Sequence, residues 1–246
     1  MIRSDQAAFS APIACQDGVY TANWGLCRGN SIILSNLPNK RQAEEPYAEK
    51  ILASQGKKII KLPKHIRFSG QGDALPCGDW LFMGSNYRTD PAAYRLVADK
   101  LGYEVIKLQT IPKRRFFGFG PNAINKVTGW PDSFFYDIDL ALAVIRPPDK
   151  SYKGLIAWCP PAFTPESRTK IEALDINKIE VSISEAKQAY ACNLVSTGET
   201  VIMTGHAPKL KVSLESHGLS VTTLDIQELA KGGGFIRCVS LTLDNK

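Results

Sequence analysis

The chain has 246 residues, of which 44% are hydrophobic and 22% are charged, and its formal net charge is +6 at pH 7. This balance is typical of a globular protein with a sizeable core, and it excludes disordered, collagenous and fibrous chains. No apolar run reaches the roughly 18–20 residues of a membrane-spanning helix, and residues 1–6 are too polar to begin a secretory signal, so we expect a soluble, cytoplasmic protein without a membrane partner.

Neither the basic residues nor the cysteines indicate a nucleic-acid or metal partner. The basic residues are dispersed, apart from residues 39–41 and 113–115, so nucleic acid is not an expected partner. The six cysteines stand singly, without a CxxC pair and without the Cys/His spacing of a zinc site. We therefore expect no disulfide framework, no metal site and no cofactor.

A strand, a helix and a second strand recur four times along the chain. The first copy covers residues 31–35, 42–54 and 58–62, and the second covers 80–83, a helix from Pro91 to a stop at Gly102, and 103–108. The third covers 155–158, a helix that begins at 164–167, and 178–183, and the fourth covers 200–203, 208–216 and 219–224. Such units cannot bury their helix-facing surfaces alone, so we expect them to pack around one centre, with the terminal segments completing a fifth unit.

Residues 111–133 interrupt this repeat. The segment holds prolines, the glycines Gly118, Gly120 and Gly129, and the aromatic residues Phe116, Phe117, Phe119 and Trp130. This composition favours an irregular loop over a helix or strand. The composition of this loop is compatible with a structural plug and equally with a lid over a functional site.

The segment after the glycine triplet 232–234 is a candidate for covalent chemistry. Glycines let the backbone approach a ligand closely, and we expect Cys238 to begin an apolar strand that faces a central cavity. A thiolate at that place could act as a nucleophile. The alternative is a buried structural cysteine, which is also our interpretation of the other five cysteines.

Three aspartates are candidates for binding a cation. Asp73 lies among glycines in residues 67–75, where a carboxylate can bind a planar guanidinium through paired hydrogen bonds, although it could also be an ordinary turn residue. Strand alternation places Asp137 and Asp139 on the same side of a predicted strand. Two adjacent carboxylates repel each other unless a cation or a shared proton intervenes.

Taken together in chain order, these segments resemble a known family. Residues 21–26, 40–46, 68–75, 84–90, 160–163 and 232–238 are similar to the motifs of the guanidino-group-modifying enzymes, the pentein superfamily. That family includes dimethylarginine dimethylaminohydrolase, arginine deiminase and the arginine:glycine amidinotransferases. The resemblance implies that residues 1–246 form one α/β propeller domain of five strand-helix-strand units with pseudo-fivefold symmetry, in which residues 111–133 are a lid-like insertion.

The resemblance also implies roles for individual residues on a small cationic guanidino ligand. It makes Cys238 the nucleophile that attacks the guanidinium carbon, Asp73 the anchor of the guanidinium, and Asp139 a second acidic contact. Arg88 is the candidate for the substrate carboxylate, because a guanidinium fork suits that group. Asn23 and Ser69 are placed among the substrate-binding residues. A homodimer is compatible with the sequence.

Two positions depart from the family pattern. The Tyr-His-Leu-Asp element of the family reads Tyr136-Asp137-Ile138-Asp139 here, so Asp137 stands in place of the acid/base histidine. Ser69 stands where the family's F-E-G element has glutamate, and His65 is the histidine we consider as a substitute. Two functions therefore remain: an amidinohydrolase or amidinotransferase that acts through Cys238, and a non-catalytic relative that binds an arginine-like or other cationic ligand.

Overall fold

The computed structural model describes residue 15 and residues 17–115, 120–126 and 128–245. The polar start at residues 1–6 and the aromatic stretch at residues 116–119, which enter two of the sequence expectations, lie outside the described residues. The described part is a mixed α/β structure with four three-stranded sheets. Among its helices, none combines the length and the apolar character needed to cross a bilayer.

Four copies of one unit follow each other along the described chain. The first contains β1 (Gly25–Arg28), β2 (Ser31–Leu34), α1 (Glu45–Ser54) and β3 (Lys58–Ile60), and the second contains β4 (Ala74–Cys77), β5 (Trp80–Met83), α2 (Pro91–Leu101) and β6 (Glu104–Lys107). The third contains β7 (Leu142–Arg146), β8 (Leu155–Trp158), α3 (Pro165–Glu172) and β9 (Asn177–Glu180), and α4 (Ile183–Gln188) connects it to the fourth. The fourth contains β10 (Val195–Ser196), β11 (Thr200–Thr204), α5 (Pro208–Ser216) and β12 (Ser220–Leu224).

The pairing within each sheet extends the predicted unit by one strand. The second and third strands run parallel and flank the helix, as predicted, in all four sheets. The first strand pairs antiparallel with the second, and the predicted unit lacked this strand. In the first two units a two-residue turn makes the connection, and Gly29 (φ 53°) and Gly78 (φ 65°) adopt the left-handed conformation that such hairpins use.

Local signals explain where the helices begin and end. Pro91 occupies the first helical position of α2, where its missing N–H costs nothing, and Gly102 ends the helix with a left-handed φ of 71°. The Thr164 hydroxyl accepts a hydrogen bond from the Ser167 N–H and caps α3. The predicted start and end of α2 and the predicted start of α3 are thereby confirmed.

The first strands of successive units lie next to one another. Strand β7 contacts both β4 and β10, and the 3-10 turn Gly70–Gly72, which leads into β4, packs against β1. The buried core covers both sides of these strands, with Leu26, Leu75 and Leu142 almost fully enclosed. This arrangement brings together the short turns that precede the first strands.

The C-terminal segment returns to the first unit. It contains α6 (Gln227–Lys231) and turns, and residues 225–245 contribute no strand. The Ala22 N–H donates to the Cys238 carbonyl at 3.0 Å, and the Gly29 N–H donates to the Asn245 carbonyl at 2.8 Å. Four units are therefore present as sheets in the described part of the chain, and the arrangement of five around one axis stays a prediction.

Candidate active site

The predicted site residues lie in the turns before the first strands. Asn23 belongs to the 3-10 turn Thr21–Trp24 before β1, and Asp73 directly precedes β4. Asp137 and Asp139 flank the start of the 3-10 turn Ile138–Leu140 before β7, so the prediction that a strand carries them is wrong. Both carboxyls are nevertheless buried, and the charge of Asp137 acts on Asp139.

The position of Cys238 also differs from the sequence expectation. The residue lies in a turn rather than at the start of a strand. Tyr20 packs so closely on Gly234 that a Cβ there would lie 2.4 Å from the ring, which explains why a glycine is needed four residues before the cysteine. The tyrosine hydroxyl donates to the Leu229 carbonyl at 2.8 Å and ties α6 to the segment that precedes β1.

Three buried carboxyls lie around this centre, each with an exposed fraction of only 1–2%. Among the described residues, nothing donates to Asp73 Oδ2, Asp137 Oδ1 or Asp139 Oδ1, although all three oxygens are buried. Burial raises the pKa of Asp73 well above its ordinary value, and the charge of Asp137 raises it further. Burial, followed by the charge of Asp137, raises the pKa of Asp139 to about 8.

The backbone around Asp73 is built to fit its carboxyl group. Asp73 Oδ1 accepts a hydrogen bond from the Ile138 N–H at 3.0 Å, which connects the second unit to the third. A Cβ on Gly84 would lie 1.8 Å from this oxygen. The carboxyl of Asp73 therefore requires a glycine at position 84.

The thiol of Cys238 is held between an acid and an amide. Its Sγ lies 3.5 Å from Asp139 Oδ2, to which the thiol donates, and 3.3 Å from Asn193 Nδ2, which donates to the sulfur. Burial raises the pKa of Cys238 well above its ordinary value, and the charge of Asp139 raises it further. The thiol is therefore protonated near neutral pH unless a cation enters the site.

Sequence reasoning missed Asn193. Its Oδ1 accepts hydrogen bonds from the backbone N–H groups of Arg237 and Cys238, at 2.9 and 3.2 Å, and so fixes the turn that carries the thiol. The only local signal for this residue is its place before the first strand of the fourth unit, which corresponds to that of Asn23 in the first.

A second polar network supports Asp137. Asn23 Nδ2 donates to Asp137 Oδ2 at 2.9 Å and to the Ser69 hydroxyl, also at 2.9 Å. The Arg41 guanidinium belongs to the motif at residues 40–46, for which the sequence indicated no role in the site. It donates to Asn23 Oδ1 and pairs with Glu44 through two hydrogen bonds of 2.8 Å. Ser69 and Asn23 thus share one hydrogen-bond network with Asp137, and Arg41 orients Asn23.

Arg88 lies at the mouth of the site. Its guanidinium packs 3.9 Å from the centre of the Tyr136 ring, and Nη1 lies 3.4 Å from Asp137 Oδ2. The Tyr136 hydroxyl in turn donates to the Gly233 carbonyl. Arg88 therefore faces the carboxyl that stands in the histidine position, and its side chain keeps 24% of its surface exposed.

A cavity of about 320 Å³ opens outward from Arg88 and Tyr136. Lys113, Asn125, Pro131 and Asp132, all from the insertion 111–133, line its outer wall. The described part of the insertion is irregular and is held by isolated bridges between residues 114 and 122 and between residues 124 and 131. A larger cavity of about 390 Å³ lies beside α1, but its lysines, Lys61 and Lys64, already pair with glutamates.

The histidines lie elsewhere. The chain has three, and His65, His206 and His217 are all exposed on turns or near the ends of α5. His65, the substitute considered from the sequence, belongs to a surface turn rather than to a strand that faces the site. The described residues contain no cluster of three or more potential metal ligands.

Comparison with protein-family models finds no match for this chain. The chain is 31% identical over 229 residues to the bifunctional arginine dihydrolase/ornithine cyclodeaminase AgrE of Nostoc sp., covering 92% of this chain and 29% of that protein. It is 29% identical over 229 residues to the N(G),N(G)-dimethylarginine dimethylaminohydrolase of Mycobacterium tuberculosis, covering 92% of this chain and 66% of that relative. The chain thus spans less than a third of the length of the bifunctional relative.

Solved structures agree with these relatives. The N-terminal domain of ArgZ, a cyanobacterial arginine dihydrolase crystallised with its product, superposes with a TM-score of 0.79 at 29% identity, covering 94% of this chain and 77% of that domain. The sequence relatives are guanidino-group hydrolases, and the mixed α/β fold is that of their structures. By sequence and by fold, this chain belongs to the pentein superfamily of guanidino-group-modifying enzymes.

Proposed function

We propose that this chain hydrolyses the guanidino group of an arginine-type substrate, with Cys238 as the nucleophile. The observation that carries the proposal is the set of three buried carboxyls, each with one unpartnered oxygen, around a buried thiol. A buried, unpaired charge is costly, and a bound guanidinium would supply the missing donors. The function is argued for this chain alone, since it spans 29% of the bifunctional relatives.

The first step is recognition of the cation. Asp73 and Asp139 each offer an unpartnered oxygen, whereas Asp137 is also engaged by Asn23 and Arg88. Guanidinium is planar, carries five N–H donors when it is monosubstituted, and can bind two carboxylates at once. Asp73 is therefore assigned as its anchor, and Asp139 as the second acidic contact on the side of the thiol.

The second step is attack by the thiol. A guanidinium cation beside Cys238 favours the thiolate, which opposes the burial and the negative charge that raise the pKa of the free thiol. Relatives support a covalent route: one ArgZ variant is described as covalently bonded to a reaction intermediate. AgrE, as a variant with one cysteine replaced by alanine, is described in complex with L-arginine.

The direct test is turnover by the purified chain. Citrulline release is measured with L-arginine and with methylated arginines, together with ammonia from L-arginine and methylamine or dimethylamine from the methylated substrates, and urea or ammonia release is measured with agmatine. We expect the wild type to act on at least one of them and Cys238→Ala to abolish release. Cys15→Ala is the matched control, because Cys15 lies outside the site and should leave the activity unchanged. Equal activity of wild type and Cys238→Ala contradicts the proposal.

A second candidate is binding without turnover. It is favoured by one observation: all three histidines are exposed, and Asp137 stands where the family has its acid/base histidine. On this alternative, calorimetry detects binding of L-arginine while no product forms. Asp137→His, alone or with Ser69→Glu, should then restore some turnover, because the thiol and the anchor Asp73 are already in place.

A further inference from the structure

Hydrolysis through a thiol needs a group that takes the thiol proton and later gives a proton to the leaving nitrogen. A positioned acid or base of this kind typically contributes about 10²–10⁴ in rate. The exposed histidines of this chain cannot supply it, so the group must come from the buried carboxyls. Their geometry distinguishes the one that faces the sulfur from the one in the histidine position.

Asp137, which stands in the histidine position, is committed to other partners. Its Oδ2 accepts from Asn23 Nδ2 at 2.9 Å and lies 3.4 Å from Arg88 Nη1. Asp139 Oδ2, by contrast, is the acceptor of the Cys238 thiol at 3.5 Å. Among the described residues, neither Asp137 Oδ1 nor Asp139 Oδ1 has a donor, so the contact with the sulfur is what distinguishes the two carboxyls. Asp139 therefore touches the reacting atom directly, and its second oxygen can meet a substrate nitrogen.

We propose that Asp139 is the proton carrier of the reaction, in place of the missing histidine. This inference rests on the hydrolysis proposed above. The Asp139 carboxylate takes the Cys238 proton, and the sulfur lone pair forms a C–S bond to the guanidinium carbon while the C=N π electrons move onto nitrogen. The resulting tetrahedral adduct carries no charge.

The adduct then loses ammonia. Protonated Asp139 gives its proton to one –NH2 group, the C–N bond breaks, and NH3 leaves a cationic thiouronium on Cys238. Asp139, again a carboxylate, next takes a proton from water as the oxygen adds to the same carbon. The C–S bond breaks, the thiolate recovers a proton from Asp139, and the protonated ureido product loses its proton to solvent. No oxidant, reductant or metal enters this balance.

The charged groups that face Asp139 suit this role. The charges of Asp137 and Asp73 act on Asp139, the Cys238 thiol is its hydrogen-bond partner, and the partly buried Arg237 is the cation whose charge lowers its pKa. Burial and the charge of Asp137 place the pKa of Asp139 at about 8, which outweighs the opposite effect of Arg237. A group with a pKa near the working pH transfers protons efficiently in both directions.

The test compares Asp139→Asn with the wild type in single turnovers at saturating L-arginine, with the Cys238 adduct followed by intact mass. We expect the rate of adduct formation to fall by about 10²–10⁴. Asp137→Asn is the matched variant, and its main effect should be on the KM for L-arginine. A wild type that binds L-arginine but forms neither adduct nor product contradicts the proposed function itself. A wild type that turns over while Asp139→Asn keeps the same adduct rate overturns only the role of Asp139.

A second measurement separates proton transfer from a structural effect. Because the charge of ionised Asp139 raises the pKa of Cys238, its removal should speed alkylation of the thiol by neutral iodoacetamide at about pH 9, where Asp139 of the wild type is ionised. We thus expect alkylation and arginine chemistry to move in opposite directions in Asp139→Asn. If both become faster, or if both are lost in a folded variant, Asp139 is not the proton carrier.

The wild type provides a test that needs no variant. If Asp139 must be ionised to accept the thiol proton, kcat/KM, which reports on the free enzyme, should rise with pH and level off above the Asp139 pKa of about 8. A flat profile from about pH 6 to pH 9 overturns the assignment even if Asp139→Asn fails to fold.

Discussion

Arg41 sets the orientation of the Asn23 amide. Its Nη1 donates to Asn23 Oδ1 at 2.9 Å, so the amide NH2 must face the opposite way, toward Ser69 and Asp137. Arg41 is itself held by Glu44 through two hydrogen bonds. A buried ion pair in the first unit thereby determines which donor Asp137 of the third unit receives.

Arg41→Lys tests this coupling. Lysine keeps the charge but cannot reproduce the planar fork that reaches Glu44 and Asn23 together, so we expect the free energy of unfolding to fall by about 1–3 kcal/mol. Affinity for L-arginine should fall as well, because the Asn23 amide is then free to rotate. Urea unfolding and calorimetry measure the two effects. Arg95→Lys, at an exposed position of α2, is the control and should change neither.

Asp73→Asn tests the cation anchor. The change keeps the shape of the side chain and its acceptor for the Ile138 N–H but removes the charge. Hydrogen bonds to charged groups contribute about 1.5–3 kcal/mol, so affinity for L-arginine should fall about 10- to 100-fold. Asp79→Asn, at a carboxyl that is 92% exposed, is the control. Calorimetric affinities for L-arginine that are equal in the two variants would exclude Asp73 as the anchor.

Gly84→Ala tests the fit of the backbone around that anchor. The new methyl group would lie 1.8 Å from Asp73 Oδ1, so either the carboxyl or the strand end must move. We expect loss of L-arginine binding together with a lower melting temperature. At Gly205 the corresponding methyl would meet its nearest atom at 3.8 Å, so Gly205→Ala should behave like the wild type. Unchanged binding by Gly84→Ala would contradict the described packing.

Arg88→Gln tests recognition of the substrate's far end. Arg88 lines the outer cavity and keeps part of its guanidinium accessible, so it can meet a carboxylate there. We expect the affinity for L-arginine to fall by more than the affinity for agmatine, which has the guanidinium but no carboxylate. Calorimetric titration with both ligands gives the comparison. Equal losses for the two ligands would show that Arg88 acts only through Asp137.

The pH dependence of stability follows from the pKa of Asp139. The folded protein holds this proton up to about pH 8, whereas an unfolded aspartate loses it near its ordinary pKa of about 4, so this group's stabilising contribution is lost as pH rises through 8. Asparagine at position 139 does not titrate, so Asp139→Asn does not lose this stability. Its melting temperature relative to that of the wild type should therefore be higher at pH 9 than at pH 5, by about 2–4 °C for each kcal/mol of stability that the wild type loses.

Calorimetric scans of the ligand-free proteins at the two pH values provide the measurement. Asp99→Asn, at an exposed position of α2, should show the same difference from the wild type at both pH values. If the melting temperature of Asp139→Asn falls further below that of the wild type as pH rises, the pKa of Asp139 is not raised in the folded protein.

The repeat was accessible from sequence because its signals are local. Helix α2 is bounded by Pro91 and Gly102, whose effects on the backbone need no distant partner. The antiparallel first strands were not predicted, since four residues such as Gly25–Arg28 carry too little periodicity to separate a strand from a loop. Only their pairing with the second strand identifies them.

The residues of the candidate site also differ in whether their signal is local. Asp73, Asp139 and Cys238 were given roles from short motifs. Asn193 was missed, and Arg41 was matched only as part of the motif at residues 40–46 without a role, because these two residues act on partners 45 and 18 positions away. The strand predicted for Asp137 and Asp139 is a 3-10 turn, since alternation over so few residues cannot be distinguished from a turn by pattern alone.

The repeating unit, the boundaries of α2 and the family are readable from the amino-acid sequence, since they depend on residue type and short spacing. Which carboxyl faces the thiol depends instead on contacts between distant segments of the fold. Asp137 and Asp139 are two residues apart and have the same sequence surroundings, so no local pattern separates them. Asn23 and Arg88 contact Asp137, whereas the Cys238 sulfur contacts Asp139. Proton transfer depends on contacts of a few ångströms between segments about 100 residues apart, and the chain makes such contacts only when its turns meet at the centre of the fold.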